Sequence, residues 1–462
     1  MPWLMPWPWP CGANLDPCWC PTVASQPLSS IGIVGGGQLA LMLAEAAAEL
    51  GVALHVQTPG ADDPAARLAT SLVLASLDDA EATRQLAQAC GAISFENEWV
   101  PIEALTPLAE GGVRFVPGLD ALAPLMAKRS QRELLERLNL PSPRWCGLEA
   151  VLDPAPAQQR VVSPYQPQSS PLWEGGGSYT PVPQASINTF SSGGPLGPSL
   201  PPGFRFPLMA KASRGGYDGK GTVPINDQGD LERLLERVNP ADWILEERVA
   251  FERELAVVAA RDREGRVVCF PLVETHQHGQ VCDWVMFPAP VNHAAEAFAR
   301  NVAASLLTAL DYVGVLAIEF FYGPAGLQVN EIAPRTHNSG HLTIEACRCS
   351  QFAQQVRVVA GLPLGSTDPI VPGALMVNLL GPDPGLSPAE EASRLAALRA
   401  LPSAHLHWYG KSHPAPGRKL GHLTVLLEGL NHPDRQAEKE QRLEQVRRIW
   451  PLPQAVEGQQ TP

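Results

Sequence analysis

The sequence predicts a mixed α/β and α+β chain of two or three domains, on three observations. A β-α-β pattern opens at Ser30. Two short apolar runs, 315–321 and 327–332, flank Gly323-Pro324-Ala325-Gly326 and read as a β-hairpin that carries Glu319 and Glu331. Runs at 372–381 and 405–427 read as short strands of a small C-terminal sheet. A length of 462 residues is enough to bury several cores. The formal net charge of -13 argues against nucleic acid or an acidic membrane surface as the main partner. No uninterrupted apolar run approaches the roughly 18 residues of a spanning helix. Nine cysteines are scattered without regular pairing, the pattern of reduced thiols in a cytoplasmic protein. Cys11, Cys18 and Cys20 lack the partnering His or CxxC that a metal knuckle needs.

In chain order, residues 1–29 repeat Pro and Trp without periodicity and are expected to be a disordered extension, or the product of a start codon set too early. The N-terminal βαβ domain is expected over 30–148. Ile31-Gly-Ile-Val-Gly-Gly-Gly37-Gln38 is a buried strand entering a glycine turn, followed by a helix over 39–50 and a strand over 52–57. Gly35-x-Gly37-x-x-Ala40 fits a dinucleotide fingerprint, but the position for a ribose-binding acid falls near Gln57, which counts against NAD. Gly36, Gly37 and Gln38 either bind phosphate through backbone amides or form a purely structural turn. A strand over 92–95 ends in the polar loop of Glu96 and Glu98, where open α/β sheets bind ligands. A charged amphipathic helix over 128–138 leads out of the domain.

Residues 151–203 are Pro, Ser, Gln and Gly with almost no charge, and are expected to be a disordered insertion. The central domain is expected over 204–268. A buried strand ends at Lys211 and is followed by Arg214-Gly215-Gly216-Tyr217-Asp218-Gly219-Lys220-Gly221. Such a flexible cationic loop can close over a polyphosphate, and a surface hairpin is the alternative. The strand over 242–249 exits at Glu246, Glu247, Arg248 and Val249, with Glu254 opening the next. Carboxylates and backbone there suit an adenine amino group and ribose hydroxyls, or are simply solvated strand ends. The C-terminal domain is expected over 269–435 and a terminal helix and tail over 436–462. His405, His407 and His413 are spread along a strand and loop, which suits solvent or substrate contact better than a metal.

The hairpin carries the chemistry. Two carboxylates facing each other in an apolar wall repel and lose hydration unless a cation lies between them. Hard oxygen ligands with Asn330 alongside suit magnesium, which keeps waters and takes further ligands from a nucleotide's phosphates. Arg335, His337, Asn338 and His341 then crowd seven residues, a density that suits an anion-handling loop.

This ordered set resembles the ATP-grasp superfamily, and within it the 5-(carboxyamino)imidazole ribonucleotide synthases of purine biosynthesis. The likeness rests on GIVGGGQL (32–39), RGGYDGKG (214–221), NEIAPRTHNSGH (330–341) and HLHWYGK…PGRKLGH (405–422), and spans about 30–427 apart from the insertion. It implies an ATP-grasp fold with an N-terminal pre-ATP-grasp domain, a central lid domain and a C-terminal domain. The implied ATP contacts are Lys128, Lys211, Gly215, Gly216, Gly219, Lys220, Gly221, Glu246, Glu247, Arg248, Val249, Glu254, Asn330, Glu331 and either His276 or His278. Magnesium would lie on Glu319 and Glu331. Tyr217, Asp218, Arg335 and His337 would serve catalysis and bicarbonate. Gly36, Gly37, Gln38, Glu98, Lys411 and Arg418 would bind the ribotide, the last two through its phosphate.

The resemblance implies carboxylation of 5-aminoimidazole ribonucleotide with ATP and bicarbonate through carboxyphosphate, in a homodimer that hands its product to a mutase. Alternatives are a formate-dependent ribotide transformylase, an inactive nucleotide-binding homologue, and an NAD oxidoreductase, which rests on the glycine turn alone. Two departures stand out. Lys128 stands where the family commonly has Arg, and Ala40-Leu41-Met42 replaces a Gly-Arg-Met, removing a cation near the first helix.

Overall fold

The run SIGIV has no polar side chain to offer water, and it becomes Ser30–Val34, an inner strand with Ile31 and Ile33 fully buried. The structure is a computed structural model describing residues 26–152, 198–215, 221–382, 385–411 and 415–453. In the first sheet all neighbours are parallel, in the order Ser71–Leu74, Ala53–Thr58, Ser30–Val34, Ile93–Phe95. Helix Gln38–Glu49 covers one face, as the β-α-β pattern predicts. The Leu28 amide donates to the Ala360 carbonyl at 2.7 Å, which corrects the expected disordered extension at its end; residues 1–25 of that extension lie outside the described residues.

The second sheet is antiparallel, in the order Trp145–Gly147, Trp243–Glu247, Leu208–Ala212, Thr222–Ile225. Its apolar face packs on Leu148, Val151, Phe204, Leu231 and Leu234, a core of its own. That packing corrects the limits of the expected insertion. Val151 is fully buried and its carbonyl accepts from the Ser199 amide at 2.9 Å, so both flanks of 151–203 are ordered. Residues 153–197 lie outside the described residues.

The third sheet has nine antiparallel strands. Its path runs Gly326–Ala333, Gly314–Gly323, Arg253–Arg261, Val273–His278, Val281–Phe287, Gly373–Leu380, Lys419–Leu427, Ala404–Trp408, with Val267–Cys269 pairing off Arg253–Arg261. Strand Arg253–Arg261 therefore belongs here, and the boundary expected at 268 falls before residue 253. The C-terminal strands continue this sheet edge to edge, through Val281–Phe287 and Gly373–Leu380. The terminal helix spans His432–Ile449, four residues earlier than expected, because Asn431 caps it by accepting from the Asp434 amide at 3.0 Å.

Two cores join the N-terminal domain to the large sheet. Phe95, Leu122 and Leu134 pack with Leu306, Leu316 and Phe320, and helix Gln351–Ala360 lays Phe352, Val356 and Val359 against helix Gln38–Glu49. The parallel sheet and the hairpin are thus held as one frame, while the small sheet keeps a separate core. Among the described residues no helix is long and apolar enough to cross a membrane.

Candidate active site

Glu319 and Glu331 are direct cross-strand partners in the hairpin Gly314–Gly323 and Gly326–Ala333. This depends on an irregularity. Tyr322 pairs Leu327 and Phe320 pairs Val329, so an unbroken ladder would set Glu319 opposite Asn330; a bulge at Asn330 slides Glu331 into that place. The bulge also turns Asn330 to the same side. Its amide nitrogen donates to Glu319 Oε2 at 3.4 Å, and its Oδ1 accepts from Lys211 at 3.1 Å.

Lys211 enters from the small sheet and is anchored by Glu246, whose Oε2 lies 2.7 Å from the ammonium. Glu246 Oε1 in turn accepts from Arg132 Nε at 2.6 Å, with the Arg132 and Glu246 side chains each only 2 % exposed. Burial alone would raise the Glu246 carboxyl, but Arg132 and Lys211 overcome it and hold the group down at about 2. Burial pushes the Lys211 ammonium below its ordinary value. On the other side, Lys128 sits 2.9 Å from Glu331 Oε2. Burial opposes ionisation of Glu331 too, and the Lys128 charge and hydrogen bond win.

Among the described residues Glu319 has no such ion pair with a Lys or Arg. Burial, then the charges of Glu331 and Glu254, push its carboxyl up to about 7. Two facing carboxylates, one of them held partly protonated by its surroundings, with an amide oxygen close by, form a donor set of hard oxygens. This set fits a magnesium ion completed by water and phosphate oxygens.

Arg335 reaches back to the N-terminal domain. Its Nε and Nη2 donate to Glu98 at 2.6 and 3.2 Å, and Nη1 donates to the Thr336 carbonyl at 3.1 Å. Among the described residues one N–H on each of Nη1 and Nη2 is left over, a pair of donors that suits a planar anion. His337 stands 3.5 Å from Glu319 Oε1 through Nε2. Its Nδ1 accepts from the Ser339 amide at 3.3 Å, so the ring proton belongs on Nε2, facing the carboxylate. Burial, then Arg335 and Lys419, lower the imidazole to about 3, which keeps it neutral. Gln351 fixes this loop by accepting from the His337 amide at 2.9 Å and donating to its carbonyl at 2.6 Å.

The glycine turn is corrected. Glu96 accepts from the amides of Gly37, Leu39 and Ala40 at 2.7, 3.0 and 3.3 Å, so the helix start holds a carboxylate of the chain itself. The glycines make room for it: a Cβ on Gly35 would lie 2.4 Å from Glu96 Cβ, and one on Gly37 2.5 Å from Glu96 Oε1. Of the predicted trio only Gln38 offers a side chain, and it accepts from Lys411 at 2.6 Å. Lys411 also donates to the Lys419 carbonyl at 2.7 Å. The turn and the C-terminal strands therefore meet.

Three family models match the chain. Residues 28–125 match the ribonucleotide synthetase preATP-grasp domain, 199–352 the ATP-grasp domain, and 374–435 the phosphoribosylaminoimidazole carboxylase C-terminal domain. The N5-carboxyaminoimidazole ribonucleotide synthase of Synechococcus elongatus is 44% identical over 431 residues, covering 93% of this chain and 98% of the relative. The chain belongs to the N5-carboxyaminoimidazole ribonucleotide synthase family. It is an ATP-dependent ATP-grasp enzyme of purine biosynthesis. The family's crystal structure from Thermus thermophilus is 32% identical with a TM-score of 0.71, covering 91% of this chain and 98% of that one. The Aspergillus clavatus enzyme in complex with ADP and 5-aminoimidazole ribonucleotide is 28% identical with a TM-score of 0.71, covering 91% and 99%.

The other residues expected from this family divide by strand geometry. Glu246 and Glu247 alternate across their strand, so Glu247 turns away to Arg144 at 3.5 Å and does not act with Glu246 as a pair. Arg248 is exposed and Val249 partly buried at the strand exit. His276 stacks on Trp284 at 5.1 Å and lies near enough to Glu254 for each to shift the other's ionisation, which favours it over His278 as the nucleotide-side histidine. Gly215 and Gly221 have φ of +77° and +76°, and the Gly221 carbonyl accepts from Ala212 at 2.7 Å, so both ends of the cationic loop are in place. Gly216, Tyr217, Asp218, Gly219 and Lys220 lie outside the described residues. The Arg418 carbonyl accepts from the Gly381 amide at 2.8 Å, setting Arg418 in the turn before Lys419–Leu427. Sequence reasoning placed Glu96 in a ligand-binding loop without its role at the helix start, and missed Gln131, Arg132 and Gln351. Gln131 and Arg132 had one signal, their spacing of three and four residues from Lys128 on one helix face.

Proposed function

We propose that the chain carboxylates the exocyclic amine of 5-aminoimidazole ribonucleotide with bicarbonate, converting ATP to ADP and phosphate. The observation that carries this reading is the facing pair Glu319 and Glu331, tied through Asn330 to Lys211. A bicarbonate oxygen attacks the γ-phosphorus and ADP leaves, giving carboxyphosphate. The amine nitrogen then attacks its carbon, phosphate leaves, and the nitrogen loses a proton.

Lys211 and the loop between Gly215 and Gly221 bind the phosphates, with Gly216, Gly219 and Lys220 supplying further donors. Glu319 and Glu331 would hold magnesium, which when bound offsets charge developing in phosphoryl transfer. Lys128, now on Glu331, is placed to exchange that carboxylate for a phosphate oxygen. Glu246 acts by holding Lys211, since each of its oxygens already carries a cation. Glu254 and His276 mark the ribose and base end, beside the backbone of Glu247, Arg248 and Val249.

Arg335 presents its two remaining N–H donors to bicarbonate while Glu98 sets its angle. His337, neutral and donating toward Glu319, orients the anion; Tyr217 and Asp218 complete this part of the proposal. Gln38 and Glu98 face the ribotide, and Lys411 with Arg418 holds its phosphate. From the family likeness we also infer a cytoplasmic homodimer passing its product to a mutase. The test is ADP release that requires both ribotide and bicarbonate. Equal ADP release without ribotide, or with formate replacing bicarbonate, overturns the assignment.

A further inference from the structure

We propose that Arg132 is a positioning residue that sets Lys211 against the paired glutamates; this rests on the ATP site proposed above. Among the described residues strand Gly326–Ala333 is the edge of the nine-stranded sheet, and its outer backbone groups have no strand to pair with. Helix Lys128–Arg137 supplies the partners instead. Gln131 accepts from the Ile332 amide at 3.0 Å and donates to its carbonyl at 2.9 Å. Arg132 Nη2 donates to the Asn330 carbonyl at 2.6 Å and Nη1 to the Val329 carbonyl at 3.4 Å, clamping the residues that form the bulge.

The third nitrogen of the same guanidinium leaves the hairpin and donates to Glu246. The contacts therefore close a ring: Arg132 to Glu246, Glu246 to Lys211, Lys211 to the Asn330 side chain, and the Asn330 backbone back to Arg132. Four residues from the linking helix, the small sheet and the hairpin are locked in one circuit. The small sheet has its own core and is tied to the helix by the Lys128 amide, which donates to the Ser213 carbonyl at 2.8 Å; the circuit adds the side-chain link that sets the Lys211 ammonium against Glu319 and Glu331. A purely stabilising arginine would need only one of these partners. A lysine cannot replace it, because a single ammonium cannot reach acceptors on two strands of different sheets in one plane.

The experiment compares full-length Arg132→Lys and Arg132→Met with Lys211→Gln and the unaltered chain, measuring kcat and KM for ATP, bicarbonate and ribotide. Melting temperature is followed in parallel. The proposal expects Arg132→Lys to fold and to keep its ribotide KM within about 2-fold. Its kcat should fall by about 100-fold, the scale of an ångström-sized misplacement, with Arg132→Met lower still. Three results overturn it: kcat within about 3-fold of the unaltered chain; a ribotide KM that rises in step with loss of melting temperature; or both variants failing to fold, which leaves Arg132 a structural role alone. Lys211→Gln separates the two readings. If it is inert and Arg132→Lys is normal, only the positioning role falls. If the unaltered chain releases no ribotide-dependent ADP, the functional reading falls and takes this one with it.

Discussion

Glu319 should give up a proton when nucleotide and magnesium bind. Its carboxyl stands at about 7 in the ligand-free chain, raised by burial and then by Glu331 and Glu254. A carboxylate must be ionised to take a cation, so binding has to expel whatever proton it holds. With that value, about half a proton leaves at pH 7, about nine-tenths at pH 6 and about one-tenth at pH 8. The same proton competes with the ligand, so affinity for magnesium-ADP should weaken about tenfold between pH 8 and pH 6. The stability sign follows. A carboxyl raised in the folded state contributes stability that is fully present below its ordinary value of 4.5 and is lost as pH climbs through about 7. The ligand-free chain therefore loses this contribution toward pH 8, and magnesium-ADP restores it.

Calorimetric titration in buffers of different ionisation enthalpy reads the released proton directly. Glu331→Gln supplies the internal check, because removing the nearest like charge lowers the Glu319 carboxyl and moves the release curve to lower pH. Glu319→Gln should show only the nucleotide's own proton exchange. Binding enthalpies independent of buffer between pH 6 and pH 7 in the unaltered chain would refute the argument, since Glu319 would then be ionised already.

Glu331→Gln should also cut turnover sharply with circular dichroism and melting unchanged; near-normal turnover would remove Glu331 from the metal site. Glu246→Gln strands Arg132 and Lys211 as buried unpaired cations, and should cost about 3–5 kcal/mol in chemical denaturation. A loss below about 1 kcal/mol would show that the pair is solvated. Since Glu246 is held at about 2, the stability it contributes is present above its ordinary 4.5 and fades as pH falls toward 2, a loss the variant should not show. Lys411→Met should raise the ribotide KM about 10- to 100-fold with ATP KM little changed, the scale of one charge-assisted contact. Equal rises in both would place Lys411 outside the phosphate site.

Much of the site was legible because charge in an apolar run has few uses. Glu319, Glu331 and Lys211 each interrupt a buried strand, and all three converge. What periodicity could not give was the register. Alternation from the Gly323–Gly326 turn places Asn330, not Glu331, across from Glu319, and only the bulge reconciles the hairpin with a shared cation. Nothing in the apolar pattern marks that bulge, and the group that bonds it lies elsewhere in the chain: Arg132 donates to the carbonyls of Val329 and Asn330 from a helix about 200 residues earlier in sequence. Glu96 was legible as part of a polar loop but not as the partner of the Gly37, Leu39 and Ala40 amides, a contact that turns an apparent phosphate turn into an internal cap.

The missing cation near the first helix shows how such departures are absorbed. Ala40-Leu41-Met42 leaves that helix without an arginine, but Arg67 approaches from the next connection. Its Nη2 donates to the Tyr409 carbonyl at 2.9 Å. Ala65 ties that connection to the glycine turn by donating to the Gly36 carbonyl at 2.9 Å. Tyr409 in turn lies beneath Lys411, with the ammonium 5.4 Å from its ring centre. A positive charge therefore lies beside the turn that Gln38 and Lys411 share, carried on a different element. A motif scan sees only the loss, because it compares positions along a chain, whereas an anion binding here would respond to charge in space.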